Sequence, residues 1–187
     1  EQVIWGGADG VEGEFDGFVT LLELDADLPA ANEVTGTTID ASNVIDELGK
    51  VVDAIPTELY GRDDFCIYIP QNVYRAYVRS LGGFGANGLG AAGVGAKGNN
   101  QSHGDLMFDG VKLFVANGLP SNVMVATTKD NLQFGTGLMN DQNEVKVLDM
   151  ADLDGSQNVR IIMRYTAAVQ YGIAEHIVTY GIVNSAN

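Results

Sequence analysis

The chain has 187 residues, enough for one large domain or two small lobes with a substantial buried core. It is acidic, with 25 Asp and Glu against 10 Lys and Arg and a formal net charge of −15, and a surface of that sign argues against binding nucleic acid by neutralising phosphate. The single cysteine, Cys66, cannot form an internal disulfide, and no apolar run approaches the roughly 18 residues a membrane helix requires.

The charge is unevenly placed. Residues 1–64 carry 16 acidic and 2 basic side chains, a net of −14, whereas 65–187 carry 9 and 8, a net of −1. The chain opens on Glu1 rather than Met, so the expectation is that the natural N-terminus is missing.

Residues 1–17 are rich in Gly and acids and are expected to form a loop held down by Trp5 and Phe15. Phe18 to Leu24 is expected to be a short strand, and Asp25 to Thr38 a polar connection around Pro29. The first clear helix is Ser42 to Ile55. Val44, Ile45, Leu48, Val51, Val52 and Ile55 fall on one stripe of a 3.6-residue period. Ser42 is the expected N-cap, Asp46 and Glu47 suit the positive end of the dipole, and Pro56 stops the helix.

Phe65 to Ile69 is a continuous apolar run, as in a strand buried on both faces, and Cys66 within it is expected to be a structural thiol. A second helix opens at Pro70 and Asn72, with Val73, Tyr77, Val78 and Leu81 on one face and Arg75 and Arg79 on another. Residues 82–104 then lose all periodicity and interleave nine glycines with Ala, Asn and Ser, a long loop of a length that usually has a role.

Beyond it the pattern becomes β. Leu106–Phe108, Asp109-Gly110 and Val111–Val115 form an expected hairpin with a type I′ turn. Val123–Thr127, Leu132–Phe134 and Glu144–Leu148 are shorter strands. Val159–Tyr171 gives the longest alternation, Val159, Ile161, Met163, Tyr165, Ala167, Val169 and Tyr171 on one face and both Arg160 and Arg164 on the other. Gly172 marks a bend, and Ile173–Tyr180 a last strand.

Sites of chemistry do not emerge. Gly88-Leu89-Gly90-Ala91-Ala92-Gly93 matches a dinucleotide fingerprint in spelling, but it follows a helix and leads into more glycine rather than opening a helix. Asp149, Asp152, Asp154 and Gly155 lack the spacing and closing Glu of a calcium loop. His103, His176 and Cys66 are too scattered to suggest zinc, and no Ser stands in a nucleophile elbow. No catalytic, cofactor-binding or metal-binding residue is therefore assigned.

Three stretches in this order resemble tailed-phage major capsid proteins of the Hong Kong 97 type. They are Asn43–Pro56 with Phe65–Tyr74, Phe108–Val115 leading through Asn117-Gly118-Leu119-Pro120 into Val123–Thr127, and Val159–Gly172. The resemblance covers about residues 40–181 and rests on the order of elements. It implies an α+β fold. An axial lobe, 41–154, would hold a mixed sheet with flanking helices, and 1–40 with 155–187 would form part of a peripheral lobe with a long-stranded antiparallel sheet. The family's N-terminal arm, extended loop and spine helix would precede Glu1.

The implied function is a structural subunit, not an enzyme. It would self-assemble into capsomers of an icosahedral virus shell around double-stranded DNA, be made in the bacterial host cytoplasm and reside in the virion. The implied partners are copies of itself in hexamers and pentamers, with scaffold or decoration proteins. No cofactor, membrane or sequence-specific nucleic acid is expected. The glycine-rich loop would sit near the axial tip, with Gly85, Asn87, Gly88, Gly90, Gly93, Gly95, Lys97, Asn99 and His103 as expected subunit-interface residues. The alternatives are an encapsulin-like compartment shell and an acidic β-type surface or adhesion module.

Overall fold

The computed structural model describes residues 2–6, 15–81, 106–137, 145–150, 158–163 and 166–185. In chain order the elements are α1 (Gln2–Gly6), α2 (Phe18–Leu24), β1 (Glu33–Val34), α3 (Val44–Asp53), β2 (Phe65–Ile69) and α4 (Gln71–Ser80). They continue as β3 (Met107–Phe108), β4 (Val111–Val115), β5 (Met124–Thr128), β6 (Leu132–Thr136), β7 (Val145–Asp149), β8 (Val159–Met163), β9 (Ala167–Tyr171) and β10 (Val178–Tyr180).

The apolar runs explain the centre. All five residues of β2 and all five of β5 are buried, which is the pattern of strands covered on both faces. They pair antiparallel within a six-stranded mixed sheet of order β1-β10-β5-β2-β4-β3, in which β1–β10 and β2–β4 are parallel. Because side chains alternate along a strand, the sheet divides the core in two. Phe65, Ile67 and Ile69 face a cluster with Val44, Leu48 and Val51 of α3 and Val73 and Tyr77 of α4. Cys66, Tyr68 and Val125 face a second cluster with Trp5 of α1 and Phe18, Val19 and Leu22 of α2. Trp5 anchors that layer, with its ring 5.3 Å from Phe18 and 4.9 Å from Tyr68.

The expected hairpin is present. Asp109 and Gly110 have φ of 46° and 80°, the left-handed pair a type I′ turn needs, and β3 pairs antiparallel with β4 across them. The thiol of Cys66 is buried, and burial raises its pKa, so it is a packed side chain.

Several expectations are corrected. Phe18–Leu24 is a helix, not a strand. Its buried apolar residues Phe18, Val19 and Leu22 follow helical spacing, and packing beneath the sheet overrides the strand preference of Phe, Val and Thr. Within residues 1–17, the anchors Trp5 and Phe15 do pack as expected, but Gln2–Gly6 is a helical turn. The long helix begins at Val44 rather than Ser42. The carboxylate of Asp40 accepts hydrogen bonds from the Ser42 N–H and hydroxyl and the Asn43 N–H, so an Asx turn precedes the helix. Ile45 on the expected stripe is exposed and Glu47 is buried instead. Lastly, the Val159–Tyr171 alternation is divided between two partners, with β8 pairing with β7 and β9 with β6. Only Val178–Tyr180 of the last expected strand is extended, because Ala174–His176 turns as a 3-10 helix first.

Candidate assembly surface

The nine expected interface residues Gly85, Asn87, Gly88, Gly90, Gly93, Gly95, Lys97, Asn99 and His103 lie outside the described residues, as do Asp152, Asp154 and Gly155. His176 is half-buried in the 3-10 turn, and Cys66 faces the second core cluster. Among the described residues no group of three or more His, Cys, Asp or Glu is placed to hold a metal ion.

What the structure does bring together is a two-part β-ribbon. In its root, β6 and β9 pair from Leu132↔Tyr171 to Thr136↔Ala167; in its tip, β7 and β8 pair from Val145↔Met163 to Asp149↔Val159. The backbone bonds Gly137 N–H to Thr166 C=O (3.1 Å) and Met150 N–H to Asn158 C=O (3.0 Å) extend each ladder by one step.

The ribbon's root is clamped to the core sheet by one buried side chain. The Asn131 Oδ1 accepts from the N–H of Gly172 (3.1 Å) and of Ile173 (2.8 Å). Its Nδ2 donates to the Ile173 carbonyl (2.9 Å) and the Thr127 hydroxyl (3.1 Å). A second tie is the Tyr171 hydroxyl donating to the Asp25 carboxylate at 2.5 Å. Burial first, and that carboxylate second, push the Tyr171 pKa up, so the phenol stays a neutral donor.

At the tip the pleat has the opposite outcome. Val145, Val147, Ile161 and Val159 share one face, Val147 stands directly opposite Ile161, and these two are 64% and 62% exposed. The other face carries Lys146, Leu148, Arg160 and Ile162, and Asp149 stands on the aliphatic face opposite Val159. Phe134 on the root is also exposed. An aliphatic strip of this kind left in water is a mark of an interaction surface. Alongside the root lies an open groove of about 760 Å³, bordered by Leu24, Asp27, Ile173 and Glu175.

The alternation at 145–149 and 159–163 was visible in the sequence, but period-2 patterning does not distinguish a face already buried from one awaiting cover. Asn131 gave no sequence signal, since one Asn between two strands is ordinary turn composition.

No family model and no curated protein matches the sequence. Solved structures do match the fold. A chain from Mycobacterium phage Che8 aligns with a TM-score of 0.52 over 86% of this chain and 57% of its own length, at 16% identity. A chain from the satellite phage P4 procapsid including size determination (Sid) protein gives a TM-score of 0.54 over 89% of this chain and 50% of its own, at 10% identity. The chain thus spans a half to three-fifths of the structures it matches. At such identities the likeness concerns the fold alone, and that α+β fold is phage-capsid-like.

Proposed function

We propose that the protein is a structural subunit of a tailed-phage shell of the Hong Kong 97 type, assembling with copies of itself into hexamers and pentamers around double-stranded DNA, with the virion as its location and no catalytic role. The observation that carries this reading is the fold shared with a chain of a phage procapsid over 89% of the sequence. Two further features support it. The exposed aliphatic strip on the ribbon suits a molecule completed by neighbours, and a shell sums many modest contacts over a closed lattice. The acidic first third, net −14 over residues 1–64, suits a wall that lies beside packed DNA without adhering to it. In this reading residues 41–154 form the axial lobe, the flanking segments belong to the peripheral lobe, and the glycine-rich 82–104 loop meets its neighbours near the capsomer axis.

Negative-stain microscopy of the full-length protein tests the proposal. Rings of five or six subunits, or closed shells, are expected. A monodisperse monomer at every concentration, with or without co-expressed scaffold, would overturn it.

A further inference from the structure

The turn after β4 holds two neighbours that can react with each other. Ala116-Asn117-Gly118-Leu119 is closed by the Leu119 N–H donating to the Ala116 carbonyl at 3.2 Å. Asn117 is exposed at its corner, whereas Ala116 and Leu119 are buried. Six other asparagines, Asn32, Asn43, Asn72, Asn122, Asn131 and Asn184, have their side-chain amides held by hydrogen bonds. Each of the six precedes a residue with a side chain, which crowds the next backbone nitrogen. Asn158 is exposed but precedes β-branched Val159. Asn117 differs on both counts. Among the described residues its side chain makes no hydrogen bond, and neither does the N–H of Gly118. Gly118 also has no Cβ to keep its nitrogen away from the preceding side chain.

We propose that Asn117 is a self-modification site, where the side-chain amide is lost to attack by Gly118 and the residue becomes aspartate or isoaspartate. Base removes the Gly118 N–H proton, and the nitrogen attacks the Asn117 Cγ to close a succinimide ring. The Cγ–Nδ2 bond breaks, and the amide leaves as ammonia with a proton from water. A water molecule then opens the ring. Addition at Cγ restores the original main chain with an aspartate, and addition at the main-chain carbonyl leaves the chain running through Cγ as isoaspartate. The balance is one water consumed and one ammonia released, with nothing oxidised or reduced. Gly118 is buried, so the turn must open transiently for base to reach its N–H, and surface turns open at low cost. The reaction needs only this chain and water, so it holds whether or not the chain assembles. Its position gives it consequences. The Ala116 N–H continues the β2–β4 ladder by bonding the Ile69 carbonyl at 2.9 Å, and Leu119 packs in the cluster of Trp5. The Gly118 carbonyl oxygen lies 3.5 Å from where a Cβ of Gly6 in α1 would stand. Isoaspartate lengthens the main chain between two anchored residues and adds a negative charge to a chain already at −15. The added length displaces Leu119 or α1, and the surroundings of Trp5 change with either.

The test incubates the full chain in mildly alkaline buffer and follows it by peptide mapping with mass spectrometry, where each conversion adds about one dalton. Isoaspartate is distinguished from aspartate by enzymatic methylation of its free carboxylate. Asn117 is expected to convert at least about tenfold faster than any of the six held asparagines, the factor of one or two hydrogen bonds that need not break first. It is expected to convert more slowly than in a free peptide spanning 114–121, because the folded turn must open. Asn117→Gln, at an exposed position, needs a larger ring for the same attack and should stay intact. Trp5 emission should drift during incubation of the wild type and hold steady in that variant. Asn87 stands in the same Ala-Asn-Gly-Leu tetrapeptide and serves as the internal standard. An Asn117 that stays unconverted while Asn87 and the free peptide convert would overturn the inference, because the folded turn would then lock the two groups apart. Equal drift of Trp5 emission in wild type and Asn117→Gln would overturn the link to the second core layer.

Discussion

Glu47 shows how much one side chain can be bound by its surroundings. It is buried in the first turn of α3, and burial alone would raise its pKa. The Lys50 ammonium donates to both carboxylate oxygens at 2.9 Å and the Tyr180 hydroxyl donates to Oε2 at 2.7 Å. Those bonds outweigh the burial and hold the carboxyl below its ordinary value of 4.5. A carboxyl depressed in the folded state contributes stability that is complete above its unfolded pKa and is lost as pH falls through the folded one. Thermal melts taken between pH about 3 and 7 should therefore show the wild type weakening below about 4.5, and Glu47→Gln should be less stable at neutral pH and show a shallower decline. Parallel declines for the two proteins would show that Glu47 is not among the groups responsible. Neither the partner Tyr180 nor the burial could be read from sequence, where Glu47 looked like one of two dipole-favoured acids.

At the scale of elements, two glycines make opposite predictions. Gly181 follows β10 with φ +75°, its N–H bonds the Val34 carbonyl at 3.0 Å, and a Cβ there would stand 2.7 Å from the Asn122 carbonyl oxygen. Gly181→Ala combines a left-handed backbone with a collision against main chain, and should cost about 2 kcal/mol or more. Gly49 lies inside α3 with nothing within 4 Å of its would-be Cβ. Gly49→Ala should stabilise by about 0.5–1 kcal/mol through the unfolded chain's lost freedom. Urea midpoints measure both, and shifts of the same sign would contradict the account. The helical state of α2 is likewise set by its neighbours. Seven residues of mixed propensity have no local reason to choose, and packing against α1, β9 and the buried face of β2 and β5 decides for them.

Over the whole molecule, the sheet couples its two layers. β2 sends Phe65, Ile67 and Ile69 to one cluster and Cys66 and Tyr68 to the other, so neither layer can loosen without exposing the same strand. The sole tryptophan, Trp5, reports on the second layer, whereas α3 and α4 in the first contribute strongly to far-UV circular dichroism. Urea unfolding followed by Trp5 fluorescence and by circular dichroism should give coincident transitions. Two separate midpoints would mean that the layers unfold independently. Leu48→Ala, at a site with no exposure, should move both probes together by about 2–5 kcal/mol.

Local periodicity and backbone chemistry were enough to specify part of this fold. The Val44–Asp53 and Gln71–Ser80 helices, the buried Phe65–Ile69 strand, the Asp109-Gly110 turn and the β character of the second half were all legible. Each depends on residues close in the chain, and their order sufficed for the family resemblance. Long-range packing set which strands pair, that β1 and β10 close one side of the sheet, that Phe18–Leu24 is helical, and that Asn131 anchors the ribbon root. It also decided that Val147 and Ile161 face water. Those outcomes turn on partners scores of residues away, and an alternating strand carries the same pattern whether its apolar face is already covered or still open.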